Sequence, residues 1–140
     1  MKLEKVLIDT NIYIEWLNDG RHEHLMLGQG LVRYLSAVVH MELSVGARAL
    51  PARRALNQLV RAYRSGDRLV VPDADVFSRA GELLQRLRDS GREIRRASLV
   101  NDVLIALCAR SIGATVLTSD QDFEAIGDVL DFRFRLVSKT

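Results

Sequence analysis

Cysteine is almost missing from this sequence of 140 residues: there is one, Cys108. A lone thiol forms no intramolecular disulfide, and its place in the apolar run from Val103 to Ala109 reads as packing in a reducing compartment. A disulfide-stapled secreted mini-protein is excluded, and a chain of this length buries roughly two thirds of its unfolded surface without staples. Long apolar runs are missing too. None approaches the 18 or more residues of a membrane span, and Met1 to Asp9 lacks the long apolar core of a signal peptide. The expectation is a soluble, cytoplasmic protein with no membrane partner, one domain over residues 1–140. Lysine is scarce, at Lys2, Lys5 and Lys139 only, so arginine carries the positive charge.

The net charge of +2 conceals a strong polarity. Residues 48–96 hold twelve arginines against six acids, while the two flanks together hold eight basic residues against twelve acids. An arginine-rich middle suits a polyanion or an acidic partner, and it suits equally a solubilising face.

Short apolar runs alternate with longer segments of helical spacing. Val6-Leu7-Ile8, Tyr34 to Val38, Leu69 to Val71, Thr115 to Thr118 and Phe132 to Val137 read as strands. Helices are expected over Ile12–Leu17, His22–Gln29, Val39–Leu50 with Pro51 as its stop, Ala52–Arg64, Ala74–Asp89 and Phe123–Ile126. A further helix is expected from Ser98, as its cap, to Ile112, with Gly113 ending it. In Ala74–Asp89, Val76, Phe77, Ala80, Leu83, Leu84 and Leu87 form one apolar stripe. The pattern implies an α/β fold, a three-layer α/β/α sandwich around a central, mostly parallel sheet.

Three acids stand alone in sequence that otherwise reads as core. Asp9 is the only charge between Lys5 and Glu15, Glu42 the only one between Arg33 and Arg48, and Asp102 the only one between Arg96 and Arg110. A buried carboxylate is costly unless it is paired, hydrogen-bonded, protonated or bound to metal. Asp9 and Asp120 also follow predicted strands, at the carboxyl edge where open α/β sheets place ligands. Glu42 and Asp102 lie near helix starts that would face the same edge. Carboxylates converging there call for a divalent cation, and an oxygen-only set suits Mg²⁺, with Mn²⁺ as the alternative, over Zn²⁺. Simpler roles stay open for each: a helix cap for Asp9, a dipole-favoured position for Asp102, an exposed helix face for Glu42, and turn or cap positions for Asp120 and Asp122.

These residues carry a family resemblance. Val6-Leu7-Ile8-Asp9-Thr10-Asn11, then Ser36 with Met41-Glu42-Leu43 and Gly46, then Asn101 to Ala106, then Thr118-Ser119-Asp120-Gln121-Asp122-Phe123 together resemble the PIN-domain nucleases. The likeness is strongest to VapC-type toxins of prokaryotic toxin–antitoxin pairs, and runs from Leu7 to about Ile126. It implies a Mg²⁺-dependent endoribonuclease leaving a 5′-phosphate and a 3′-hydroxyl, an RNA substrate, a homodimer and a VapB-type antitoxin. Residue by residue it places the catalytic acids and metal ligands on Asp9, Glu42, Asp102 and Asp120. Asp122 is a further or replacement ligand, and Asn11 and Thr118 fill supporting polar positions.

Arg53, Arg54, Arg61 and Arg64 are candidate contacts for RNA or for an acidic antitoxin tail, with a solubilising role as the alternative. His22 and His24 form an H-x-H lacking the further His or Cys that a transition-metal site needs. Two other functions fit less well. A non-catalytic RNA-binding or antitoxin-sequestered module would not need the four acids, and a receiver-like phosphoacceptor would need paired acids after the first strand and a late lysine.

Overall fold

The structure, a computed structural model, describes residues 2–138. Twelve elements run in the order β1 (Glu4–Ile8), α1 (Thr10–Asp19), α2 (Glu23–Leu27), β2 (Leu31–Ser36), α3 (Ala37–Gly46), α4 (Leu50–Ser65), β3 (Leu69–Val70), α5 (Ala74–Asp89), α6 (Ala97–Ser111), β4 (Thr115–Thr118), α7 (Asp122–Gly127) and β5 (Phe134–Leu136). The strands form one sheet, β3-β2-β1-β4-β5, and every neighbouring pair is parallel.

Parallel pairing follows from the burial of the central strands on both faces. Val6, Leu7 and Ile8 of β1 are fully buried, and all four residues of β4 are buried. Such strands need helices above and below, and crossover helices supply them. From β1 the chain steps to β2 and then β3, after which it crosses back to β4 and β5 on the other side of β1. Right-handed crossovers in opposite directions put their helices on opposite faces. Accordingly α1, α3 and α4 pack in sequence on one another, and so do α5, α6 and α7. The point of reversal lies between β1 and β4, and it fixes where a site belongs.

Ala74–Asp89 and Thr115–Thr118 have the predicted bounds, whereas others shift for identifiable reasons. Pro51 does not stop a helix. It sits in the first turn of α4, where a missing N–H costs nothing, and α3 ends earlier at Gly46. Ala37 and Val38 belong to α3, because Ser36 ends β2 and its Oγ accepts the Val38 N–H at 3.1 Å. Ser98 is not a cap: α6 starts at Ala97 after Arg96, with no side-chain cap bond. Phe77 leaves the predicted stripe, being 57% exposed on α5 while Ala80, Leu83 and Leu87 are buried.

Across the layer holding α1 and α4, the hydroxyls of Tyr13 and Tyr63 share a buried hydrogen bond of 2.7 Å. The Arg68 guanidinium lies 5.0 Å from the Tyr63 ring centre. Tyr63→Phe removes one hydroxyl and leaves the other buried without a partner, which costs about 1–3 kcal/mol. Removing both hydroxyls leaves nothing unsatisfied. Urea denaturation of Tyr63→Phe, Tyr13→Phe and the double variant should therefore show the double no less stable than the worse single. Additive losses would rule out the hydrogen bond as the cause.

No helix among the described residues is long and apolar enough to cross a membrane. Cys108 is fully buried in α6, and burial pushes its thiol up to about 11, so it packs and does not attack.

Candidate active site

Strand register brings the first pair of site residues together. Ile8 pairs with Leu117, so the next residue of each strand, Asp9 and Thr118, meet at the carboxyl edge. The Asp9 N–H donates to the Leu117 carbonyl at 2.9 Å, carrying the ladder one residue beyond β1. Asp9 is the N-cap of α1, and its Oδ1 accepts the Thr10 N–H at 2.8 Å. Its Oδ2 accepts the Thr118 hydroxyl at 2.7 Å. The capping role is therefore real but uses one oxygen only. At 3% exposure, burial dominates and raises the Asp9 carboxyl to about 6, against the lowering effect of those two hydrogen bonds.

Glu42 faces the same edge from α3 and is half-buried, so the exposed-face reading does not apply. The Thr10 hydroxyl donates to its Oε1 at 2.7 Å, and the Asn101 amide to its Oε2 at 3.4 Å. Thr10 thus ties the Asp9 turn to α3, while Asn101 ties α6 to α3. Neither role is visible in a linear reading, because both residues sit inside motifs whose acids dominate attention.

Asp102 lies well inside α6, away from its N-cap, and is 5% exposed. Its Oδ2 is buried with no hydrogen-bond partner. Burial, then the charges of Asp9, Asp120, Glu42 and Asp122, push this carboxyl up to about 9. Asp120 and Asp122 approach from the turn after β4. The Thr118 hydroxyl accepts the Asp120 N–H at 3.0 Å, and Asp120 Oδ1 accepts the Asp122 N–H at 2.9 Å. Asp120, not Asp122, is the acid that satisfies the entry to α7. Carboxylate oxygens of Asp102, Asp120 and Asp122 lie within 4.8 Å of one another. Asp120 and Asp122 thus both stand beside Asp102. Asp122 Oδ2 also accepts from Arg96 Nη2 at 3.3 Å, a contact the sequence reading missed.

The remaining candidates lie apart. Asn11 is exposed in the first turn of α1 and makes none of these hydrogen bonds. Arg53, Arg54, Arg61 and Arg64 are exposed along α4, which packs on α3, β2 and β3. His22 Nε2 is 2.6 Å from Glu15 Oε2, and neither histidine joins the acidic cluster.

The cluster is made of carboxylates with no histidine or cysteine among them, and Oδ2 of Asp102 is buried without a donor. That set fits a hard divalent cation, which would satisfy the orphaned oxygen and offset the mutual repulsion. The cluster sits beside the sheet's point of reversal, between the ends of β1 and β4. A PIN domain model matches residues 6–129. The chain belongs to the PIN-domain family. PIN domains are generally nucleases and typically use divalent metals, in keeping with the acidic cluster of this one.

Solved structures share the PIN fold of this chain. VapBC2 from Rickettsia felis, bound to a DNA fragment from its promoter, matches at TM-score 0.70 and 21% identity, over 96% of this chain and 99% of that one. VapBC-1 from nontypeable Haemophilus influenzae matches at 0.68 and 24%, over 94% and 97%. VapBC-5 from Mycobacterium tuberculosis, a member of the VapBC family of toxin-antitoxin systems, matches at 0.63 and 25%, over 95% and 98%. Among curated proteins, none matches this PIN domain.

Proposed function

We propose that this PIN domain is the toxin of a VapBC-type pair and a Mg²⁺-dependent endoribonuclease, with Mn²⁺ as the alternative cation. The observation that carries the reading is the Asp102 carboxylate, which lies within 4.8 Å of those of Asp120 and Asp122 and has a buried Oδ2 with no hydrogen-bond partner. Asp102, Asp120 and Asp122, close enough to share one ion, would hold the cation, and Asp9 and Glu42, outside that group but at the same edge, would complete its acidic surround. When bound, such a cation activates water as a nucleophile and offsets the charge that builds on the phosphate and the departing 3′ oxygen. The protein's part is to hold the donors in place. Thr118 fixes one oxygen of Asp9, Thr10 and Asn101 fix Glu42, and the α7 turn fixes Asp120. Burial of Asp9 and Asp102 excludes competing water from the protein side of the site.

Asp9→Asn keeps the shape and the cap oxygen but removes the charge. RNA cleavage in Mg²⁺ should fall by at least on the order of a hundredfold, with the far-ultraviolet circular dichroism unchanged. Cleavage at the wild-type rate would overturn the nuclease assignment.

The antitoxin reading draws on the VapBC neighbours and on an apolar groove of about 490 Å³ between α1, α3 and α4. Ile14 and Leu17 line it and are 39% and 47% exposed, as suits a surface covered by a protein partner. Growth arrest on induction, relieved by the product of an adjacent small reading frame, would support that partner.

A further inference from the structure

The loop between α5 and α6 carries Arg92, Arg95 and Arg96, and the fold lands it beside the acidic cluster. The three arginines are committed differently. Arg95 is held by Glu93, with Nη2–Oε2 at 3.1 Å and its backbone N–H on Oε1 at 2.8 Å. Arg96 pairs with Asp122 across an exposed contact of 3.3 Å. Arg92 is exposed and enters no ion pair among the described residues. Arg92, Arg96 and Asp122 together line a groove of about 290 Å³. Asp122 belongs to this groove and to the acidic cluster at once, so the two adjoin there.

We infer that Arg92 and Arg96 form the phosphate-binding site for the RNA strand beside the scissile bond, and that Arg96 exchanges Asp122 for a strand phosphate when the strand binds. The inference rests on the nuclease reading and extends it to how the substrate is held. The ionised acids at this edge repel a polyanion, so strand binding needs cations close by. Guanidinium forks suit phosphate oxygens, and Arg92 has no protein anion to leave. An exposed pair such as Arg96–Asp122 is weakly held and gives way readily. The arginines of α4, by contrast, lie toward the β3 edge of the sheet, away from β4 and α7. In this scheme Arg92 and Arg96 are positioning residues: they fix the strand and do not touch the bond that breaks.

Metal-free protein leaves RNA uncut, so fluorescence anisotropy with a labelled single-stranded RNA oligonucleotide reads binding alone. Two phosphate contacts on a single strand contribute about 1.4 to the slope of log affinity against log salt. The Arg92→Gln/Arg96→Gln variant should lower the slope by roughly that amount and weaken binding roughly tenfold at low salt. With Mg²⁺ present, its KM for cleavage should rise similarly while kcat holds, and Arg92→Lys/Arg96→Lys should restore the slope. An unchanged slope, with Arg54→Gln/Arg61→Gln lowering it, would overturn this site and leave the nuclease reading intact. Wild-type protein that neither binds nor cuts RNA would overturn both.

Discussion

Metal-free Asp102→Asn protein should be more stable than the wild type at pH 8, and Mg²⁺ should no longer stabilise it. The Asp102 carboxyl is raised to about 9 in the folded protein, against an ordinary value near 3.8. Between those values the unfolded chain has released a proton that the folded protein keeps. Stability is therefore greatest below pH 4 as far as this group is concerned, and is lost as pH rises toward 9. The loss runs at about 1.4 kcal/mol per pH unit in the middle of that window. Asparagine carries no such proton, so the variant lacks the slope and should gain on the order of a few kcal/mol at pH 8. A cation reverses the comparison. At a hundredfold excess over its dissociation constant a ligand stabilises the wild type by about 2.7 kcal/mol, or about 10 °C in a chain of this size. Calorimetric melts with and without Mg²⁺ between pH 5 and 9 read both effects. A variant that melts below the wild type at pH 8 and still rises with Mg²⁺ would remove Asp102 from the site.

Cation affinity should climb steeply with pH, about tenfold per unit between pH 6 and 9. Asp102 holds its proton through that range in the metal-free protein and must give it up to become a ligand. Below pH 6 a second proton enters, because Asp9 is raised to about 6. Acid therefore weakens binding with a slope approaching two. Titration calorimetry of Mn²⁺ in buffers of differing ionisation enthalpy should record about one proton released per ion at pH 7.5. No proton release, with affinity flat from pH 6 to 9, would mean that the cation binds elsewhere.

Most of this site was legible because an acid alone in an apolar run is conspicuous. Asp9, Glu42 and Asp102 each broke a hydrophobic stretch, and Asp120 followed a strand by two residues. The strands themselves were found wherever both faces are buried, as in Val6-Leu7-Ile8 and Thr115–Thr118. The sequence pattern starts β2 three residues late because Arg33 interrupts its apolar run; Arg33 donates to the carbonyls of Leu25 and Gly28. Pro51 misled because a proline that stops one helix looks the same as one that opens the next. Thr10, Asn101 and Arg96 escaped for a different reason. Their partners lie 32, 59 and 26 positions away, and nothing in a linear pattern announces such pairs.

The junctions at the carboxyl edge bear on how this chain can vary in length. One residue, Asp9, separates β1 from α1, and β2 passes to α3 with none between. An added residue at either place would rotate every following side chain of the helix and carry Thr10 or Glu42 off the edge. Residues 90–96, between α5 and α6, have no such constraint at their tip. Natural and engineered insertions should therefore collect in that stretch, where lengthening alters the reach of the arginines toward a strand without disturbing the carboxylates.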